Sequence, residues 1–321
     1  MFRIGLLGAS RIAPPAVIAP ARAHPDFTVT AVAARDEARA RAYAAEHGIP
    51  NVAHDYSALI DRDDVDIVYN GLPPAAHAAW TMAALRLGKA VLCEKPFAHN
   101  AGEAREMVEA AKASGSVLIE AFHYRVHTVI RQSEQLVAEG ALGKLVSAEA
   151  AFSVPIPRTR DELRWRADLG GGGMMDLGCY PLHALRTLIG SEPSVVSALG
   201  RFEDGVDTEL SAQLEFPGGV SARLSCSMIA KTPNAALTLV GERGRLEIVN
   251  FVAPQLGCAF STTLDGGKLA RSTAGPSTYE AQLAHVHDVL SGKSAPLTGG
   301  QDSIATMTAI DAIYRAAGRP V

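Results

Sequence analysis

The chain has 321 residues, 48% hydrophobic and 20% charged, enough for one large or two medium domains around a substantial core. A net charge of −4 leaves no basic footprint for nucleic acid, and no run of about 18 apolar residues offers a membrane span. Cys93, Cys179, Cys226 and Cys258 form no close pair, so neither a zinc site nor a disulfide framework is expected; reduced thiols in a cytoplasmic protein are the simplest expectation.

In chain order, residues 2–7 read as a strand; the apolar stretch is short and Arg11 interrupts it, so a targeting segment is not expected. A helix follows that should be short or kinked, because Pro20 would break its ladder. Strands are predicted at 28–33, 66–70, 90–93 and 117–120, and helices at 37–47, closed by Gly48, and at 74–87, closed by Gly88. Asn100 with Glu103 resembles a capping box that opens a helix to about residue 114. Five strands alternating with four helices imply a parallel sheet covered on both faces, an α/β domain over residues 1–120. From 121 to 321 the pattern changes. LVSAEAAFSV, TELSAQLEF, VSARLSCSMI, ALTLVG and RLEIVN read as strands in succession, and Pro217-Gly218-Gly219 as a turn between two of them. This predicts an α+β domain with a mostly antiparallel sheet. Helices near 278–290 and 302–317 close the chain, the last a candidate to pack back on the first domain.

Gly8-Ala9-Ser10-Arg11-Ile12-Ala13 follows the first strand and opens a helix. The dinucleotide fingerprint is G-x-G-x-x-G/A; Ser10 replaces its second glycine and Ala13 takes the third place. Gly8 permits the tight turn, and the helix N-terminus favours a pyrophosphate. At the end of the second strand stand Ala34 and Arg35 rather than an acid, which favours NADP over NAD; alternatively Arg35 is solvated and Asp36 meets the ribose or caps the helix. Ligands of open parallel sheets lie over the carboxyl ends of the strands, so Gly8, Arg35, residues 70–73, Glu94, Lys95 and Glu120 should face one crevice. The stretch VLCEKPF then brings the Lys95 ammonium to a strand tip beside Pro96.

In GGGGMMDLGCYPLH, residues 170–183, Asp176 and Tyr180 would share one face of a helix, with His183 beside them. A carboxylate and a phenol near an ammonium form a proton-transfer set, since a nearby cation lowers the phenol pKa from about 10. The alternative is a structural tyrosine in a helix–sheet interface. His285 and His287 are two apart on a helix and do not face together, so no metal site is expected.

Together GLLGASRIA, AVAARD, GLPPAAH, CEKPF, EAFHYR, WRADLGGGGMMDLGCYPLH and IDAIYRAAGRP resemble the Gfo/Idh/MocA oxidoreductase family, and within it the dimeric dihydrodiol dehydrogenase and NADP-dependent xylose dehydrogenase branch. The resemblance implies a Rossmann domain, an open-faced sheet domain that commonly forms dimer or tetramer contacts, and hydride transfer at a carbinol carbon of a sugar, polyol or cyclic diol. It assigns Lys95 as the active-site lysine, with a cis bond to Pro96, Asp176 as the supporting acid, and Tyr180 where many relatives carry histidine. The implied cofactor set is Gly8, Ala9, Ser10, Arg11, Ile12, Ala34, Arg35, Leu72, Pro73, His77, Glu94 and Lys95. Phe122, Trp165, Arg166 and His183 are expected on the substrate side. Ser10, His123 and Thr128 depart from the family's usual residues without removing a catalytic group. Two alternatives remain open: an NAD-dependent inositol- or amino-sugar-type dehydrogenase, and a nicotinamide-sensing regulator without turnover.

Overall fold

A computed structural model describes residues 1–159 and 162–319. Two compact units form: Met1–His123 with Tyr279–Ile304, and Tyr124–Thr278 with Ala305–Val321. The second unit is therefore not one continuous stretch from 121 to 321. The helix Thr278–Leu290 sets Leu283, Val286 and Val289, at three-residue spacing, into the first unit's core.

In the first unit, β1 (Phe2–Leu7), β2 (Phe27–Ala33), β3 (Asn51–Val52), β4 (Ile67–Asn70), β5 (Ala90–Cys93) and β6 (Leu118–Glu120) form one sheet in the order β3-β2-β1-β4-β5-β6. Every pairing in it is parallel. The two-residue β3 adds a sixth strand to the five expected; it is too short to show a period in sequence. The strand order reverses between β1 and β4, which opens a crevice beyond the carboxyl ends there. Pro20 is accommodated by a change of helix type. Pro14–Ile18 forms a π turn, and Pro20 falls in the first turn of the α-helix Ala19–Ala23, where a missing N–H is tolerated. Asn100 Oδ1 accepts the Glu103 N–H and Glu103 Oε2 accepts the His99 N–H, each at 3.0 Å, and these bonds open the helix Ala101–Ser114.

In the second unit, β7 (Leu145–Ser153), β8 (Ser194–Glu203), β9 (Val206–Phe216), β10 (Val220–Ser227), β11 (Asn234–Gly241), β12 (Gly244–Val249), β13 (Ala259–Leu264) and β14 (Gly267–Ala270) form a sheet ordered β14-β13-β12-β11-β7-β10-β9-β8. All pairings are antiparallel except β7 with β10. One face is apolar: Leu210, Ala212, Leu214 and Phe216 of β9 and Ala222, Leu224 and Cys226 of β10 are buried at alternate positions. The helix Cys179–Ile189 packs on β7 and β10. The strands β8, β13 and β14 were not apparent in sequence. β8 is an edge strand that leaves Val196 and Leu199 exposed, so it lacks the alternation of a half-buried strand. Among the described residues, no helix is long and apolar enough to cross a membrane, and no group of three or more His, Cys, Asp or Glu could hold a metal.

Candidate active site

The ends of five parallel strands lie level. Ala33, Leu7, Asn70, Cys93 and Glu120 pair in register across β2, β1, β4, β5 and β6. The residues that follow these ends, Ala34–Arg35, Gly8, Gly71–Leu72, Glu94–Lys95 and Ala121–Phe122, therefore leave the sheet at one edge.

The turn after β1 is built for close approach. Gly8 has φ 93°, and a Cβ there would lie 3.1 Å from Leu72 Cδ2 and 3.4 Å from the Gly71 carbonyl oxygen. The helix Glu37–Glu46 braces the turn: Arg39 Nη2 donates to the Ala9 carbonyl at 2.8 Å and the Tyr43 hydroxyl to the Ser10 carbonyl at 2.9 Å. Burial pushes the Tyr43 pKa up to about 12, with Glu46 adding to it, so this donor keeps its proton. Ser10 Oγ accepts the Ala13 N–H at 3.3 Å, and Pro14 and Pro15 carry no N–H. At the end of β2, Asp36 Oδ1 accepts the Arg39 N–H at 2.8 Å and caps the helix. Arg35 is exposed, and its backbone N–H bonds the Tyr56 hydroxyl. Tyr56, not singled out in sequence, stacks edge-on against Trp80 with ring centroids 5.1 Å apart.

At the tip of β5, Lys95 is half-buried and its bond to Pro96 is cis. Glu94 is buried; its Oε1 accepts the Tyr69 hydroxyl at 2.8 Å, and its Oε2 accepts the Lys95 backbone N–H at 3.3 Å. Burial and the Glu94 charge hold Tyr69 protonated. His77 is fully buried, with Nδ1 2.9 Å from the Pro96 carbonyl oxygen and Nε2 2.8 Å from that of Leu72. It ties the loop after β4 to the Lys95-Pro96 bond. Glu120 is buried, and Ser303 Oγ donates to its Oε2 at 2.5 Å. Burial and the Lys95 charge push His123 down to about 3, so the ring that stacks on Tyr279 is neutral at neutral pH. Phe122 is buried in this unit.

In the second unit the glycine run leads into a π turn, Met174–Gly178, and then the helix Cys179–Ile189. Asp176 and Tyr180 thus lie on successive helix types. Asp176 Oδ2 accepts from Arg164 Nε at 2.6 Å, and Arg164 Nη1 also reaches Glu162 Oε1 at 3.0 Å. Arg164 was not anticipated; its contact spans twelve residues and is made where Gly171 and Gly172 bond the Arg166 and Arg164 carbonyls at 2.9 and 3.0 Å. Tyr180 is buried between the edge-on rings of Tyr124 and Phe152, with centroids 5.7 and 5.5 Å away. His183, expected on the substrate side, is fully buried, and its Nδ1 lies 2.6 Å from the Tyr124 hydroxyl; it supports the ring that packs on Tyr180. Arg166, also expected there, is exposed and pairs with Asp168 at 2.6 Å, a local bond two residues away. Trp165 is half-buried, its Nε1 donates to the Ile156 carbonyl at 3.3 Å, and the Arg158 guanidinium lies 5.1 Å from its ring centroid.

Two family profiles match the chain: an oxidoreductase family with an NAD-binding Rossmann fold over residues 2–122, and the GFO/IDH/MocA C-terminal domain over residues 130–247. The chain is 36% identical over 317 residues, 98% of its length and 96% of the other's, to D-xylose 1-dehydrogenase (NADP(+)) 2 of Haloferax volcanii. It is 40% identical over 259 residues, 80% of its length and 75% of the other's, to a dTDP-3,4-didehydro-2,6-dideoxy-alpha-D-glucose 3-reductase of Streptomyces violaceoruber. Among solved structures it resembles a 3-ketoreductase from Actinomadura kijaniata in complex with NADP and TDP-benzene, with a TM-score of 0.88 at 30% identity over 100% of this chain and 98% of that one. An aldose-aldose oxidoreductase from Caulobacter crescentus gives a TM-score of 0.90 at 28% identity over 99% and 97%.

Proposed function

Because the chain belongs to the Gfo/Idh/MocA oxidoreductase family, we propose that it is an NADP(H)-preferring enzyme transferring hydride between the nicotinamide and a carbinol carbon of a sugar, polyol or cyclic diol. The observation that carries this reading is the level row of strand ends, which brings the Gly8 turn, Arg35 and Lys95 to one edge of the first sheet.

The first unit fits a dinucleotide. A side chain at Gly8 would fill the cradle against Leu72, and Ala9 and Ala34 are small and buried. With Pro14 and Pro15 lacking N–H groups and Ala13 committed to Ser10 Oγ, the turn residues Ser10, Arg11 and Ile12 supply the backbone donors to the pyrophosphate. Arg35 pairs with the adenosine 2′-phosphate, and Leu72, Pro73 and Glu94 line the path toward the nicotinamide end. The bound cofactor supplies the hydride chemistry; the protein supplies position and field.

Lys95, Asp176 and Tyr180 are the proposed catalytic set. Tyr180, as the phenolate that the Lys95 charge favours, takes the substrate hydroxyl proton, and the Lys95 ammonium stabilises the alkoxide charge that develops. Asp176, fixed by Arg164, balances charge beside Tyr180. Phe122 and the Trp165 ring face are proposed to contact substrate. The same reading makes the protein a cytoplasmic homo-oligomer, dimer or tetramer, with no nucleic-acid or membrane partner.

A paired titration with NADPH and NADH, followed by nicotinamide fluorescence, comes before a screen of aldoses, polyols and cyclic diols. Tighter NADPH binding with turnover supports the proposal. Tighter NADH binding removes the Arg35 assignment and favours an inositol- or amino-sugar-type dehydrogenase. Binding without turnover on any of them favours a regulator. Tyr180→Phe and Lys95→Met should each lower kcat at least about 100-fold if they carry proton transfer and charge stabilisation; unchanged turnover in both sinks the catalytic assignment.

A further inference from the structure

We propose that Asp207 is a positioning residue that holds the glycine turn from which the Asp176–Tyr180 segment starts. The inference rests on the reading of Asp176 and Tyr180 given above. Asp207 lies on β9 with none of its surface exposed. Its Oδ2 accepts the backbone N–H of Met174, the first residue of the π turn, at 2.6 Å. Its Oδ1 accepts the Tyr314 hydroxyl at 2.8 Å. The Arg319 guanidinium lies over the Tyr314 ring, 4.3 Å from its centroid, with Nη1 3.7 Å from Asp207 Oδ1.

The turn is shaped to this group. Gly172 has φ 133°, and a Cβ there would fall 2.3 Å from Asp207 Oδ1 and 3.1 Å from the Tyr314 hydroxyl. The carboxylate and the phenol fill the place a side chain would take. Gly172 in turn accepts the Asp176 N–H at 3.0 Å, so the turn that Asp207 and Tyr314 hold at Met174 and Gly172 is also the one that anchors the Asp176 backbone. Packing alone does not call for an acid here. Leu210, Ala212 and Leu214 fill β9's other inner positions with apolar groups, and a buried carboxylate is costly unless its bonds matter. The assigned function of the C-terminal residues Tyr314 and Arg319 is thus to orient the carboxylate that sets the turn.

The test compares Asp207→Ala, Asp207→Asn, Tyr314→Phe and Tyr180→Phe, with Leu214→Ala as a control for general loosening. The readouts are kcat, KM, NADPH Kd, the pH profile of kcat, and amide hydrogen exchange at Met174 and Asp176. Asp207→Ala should lower kcat about 10–100-fold, as misplacement of a reacting group by an ångström does, while NADPH Kd stays within about twofold. Its pH profile should shift, and exchange at both amides should quicken. Asp207→Asn should recover kcat to within about threefold, because its carbonyl still accepts the Met174 N–H and its amide can donate to the Tyr314 oxygen. Tyr314→Phe should fall between them and decides the matter if Asp207→Ala does not fold. Unchanged kcat in Asp207→Ala where Tyr180→Phe is inactive, or an equal loss of kcat in Leu214→Ala, overturns the inference. An active Tyr180→Phe overturns the site reading instead, and unchanged amide exchange then overturns the positioning role as well.

Discussion

Arg35 stands exposed at the end of β2 with its backbone tied to Tyr56, so its backbone is fixed while its guanidinium remains in water. A charge-assisted bond to a 2′-phosphate is worth about 1.5–3 kcal/mol, or roughly 10–100-fold in binding. Arg35→Ala should therefore raise the NADPH Kd by about that factor and leave the NADH Kd within about twofold. Equal losses for both cofactors in a fluorescence titration would show that Arg35 supports the turn and not the phosphate. Asp207 yields a pH prediction of definite sign. Burial raises its pKa from 3.8 to about 6 against the opposing bonds from Tyr314 and Met174, so the folded state binds the proton more tightly than the unfolded one. Its contribution to stability is full below about pH 4 and is lost as pH rises through about 6, a change of up to about 3 kcal/mol. Asp207→Asn carries no such loss, so its Tm relative to the parent should rise between pH 4 and 7; a constant difference would contradict the assignment. The places of Arg35 and Lys95 at strand tips were legible because each lies two residues past a strand whose end the apolar pattern marks. Arg164, Tyr56 and Asp207 were not, because each acts through a contact to residues distant in the chain, such as the 33 positions between Met174 and Asp207.

At the scale of elements, the same device occurs in both units. Pro20 and Pro181 each enter an α-helix just after a five-residue π turn, Pro14–Ile18 and Met174–Gly178. A wider turn spares the proline ring the carbonyl four residues back, and π turns are frequent at functional sites. A sequence pattern reports the proline but not the widening, so the short first helix was foreseen and its type was not. Caps were more legible, because they depend on neighbours in the chain. Asn100→Ala removes the acceptor for the Glu103 N–H and should destabilise the first unit by about 1 kcal/mol, with the urea m-value unchanged. A loss below about 0.3 kcal/mol would mean that Glu103, through its bond to His99, holds that helix start on its own. Strand detection failed where alternation failed. β14 is exposed at every residue and β8 at most of them, so no buried face marked either one.

At the scale of the whole chain, the outer face of the eight-stranded sheet bears on self-association. Pairing puts Leu199, Ser211, Ser225, Ala151, Ala236 and Val249 in one row across β8, β9, β10, β7, β11 and β12. Each has the opposite parity to a buried neighbour, so the row points away from the core, and it consists of small residues between two exposed apolar ones, Leu199 at 78% and Val249 at 56%. Small side chains let a second surface approach the backbone closely, and the exposed apolar ends Leu199 and Val249 favour burial against it. An interface on this sheet is implied by the family resemblance alone, and the row itself depends on strand registers that no local pattern encodes. If the proposed oligomer forms through this face, Ser225→Arg places a long cation at the centre of the row and should break it. Light scattering should then fall to the mass of one chain, 33.7 kDa, at concentrations where the parent shows at least twice that mass. Because Ser225 points away from the apolar core, the variant should keep its Tm within a few degrees, apart from stability contributed by association itself. A parent that stays at 33.7 kDa at every concentration would remove the oligomer from the proposal, and a Ser225→Arg protein that keeps the parent's mass would move the interface to another surface.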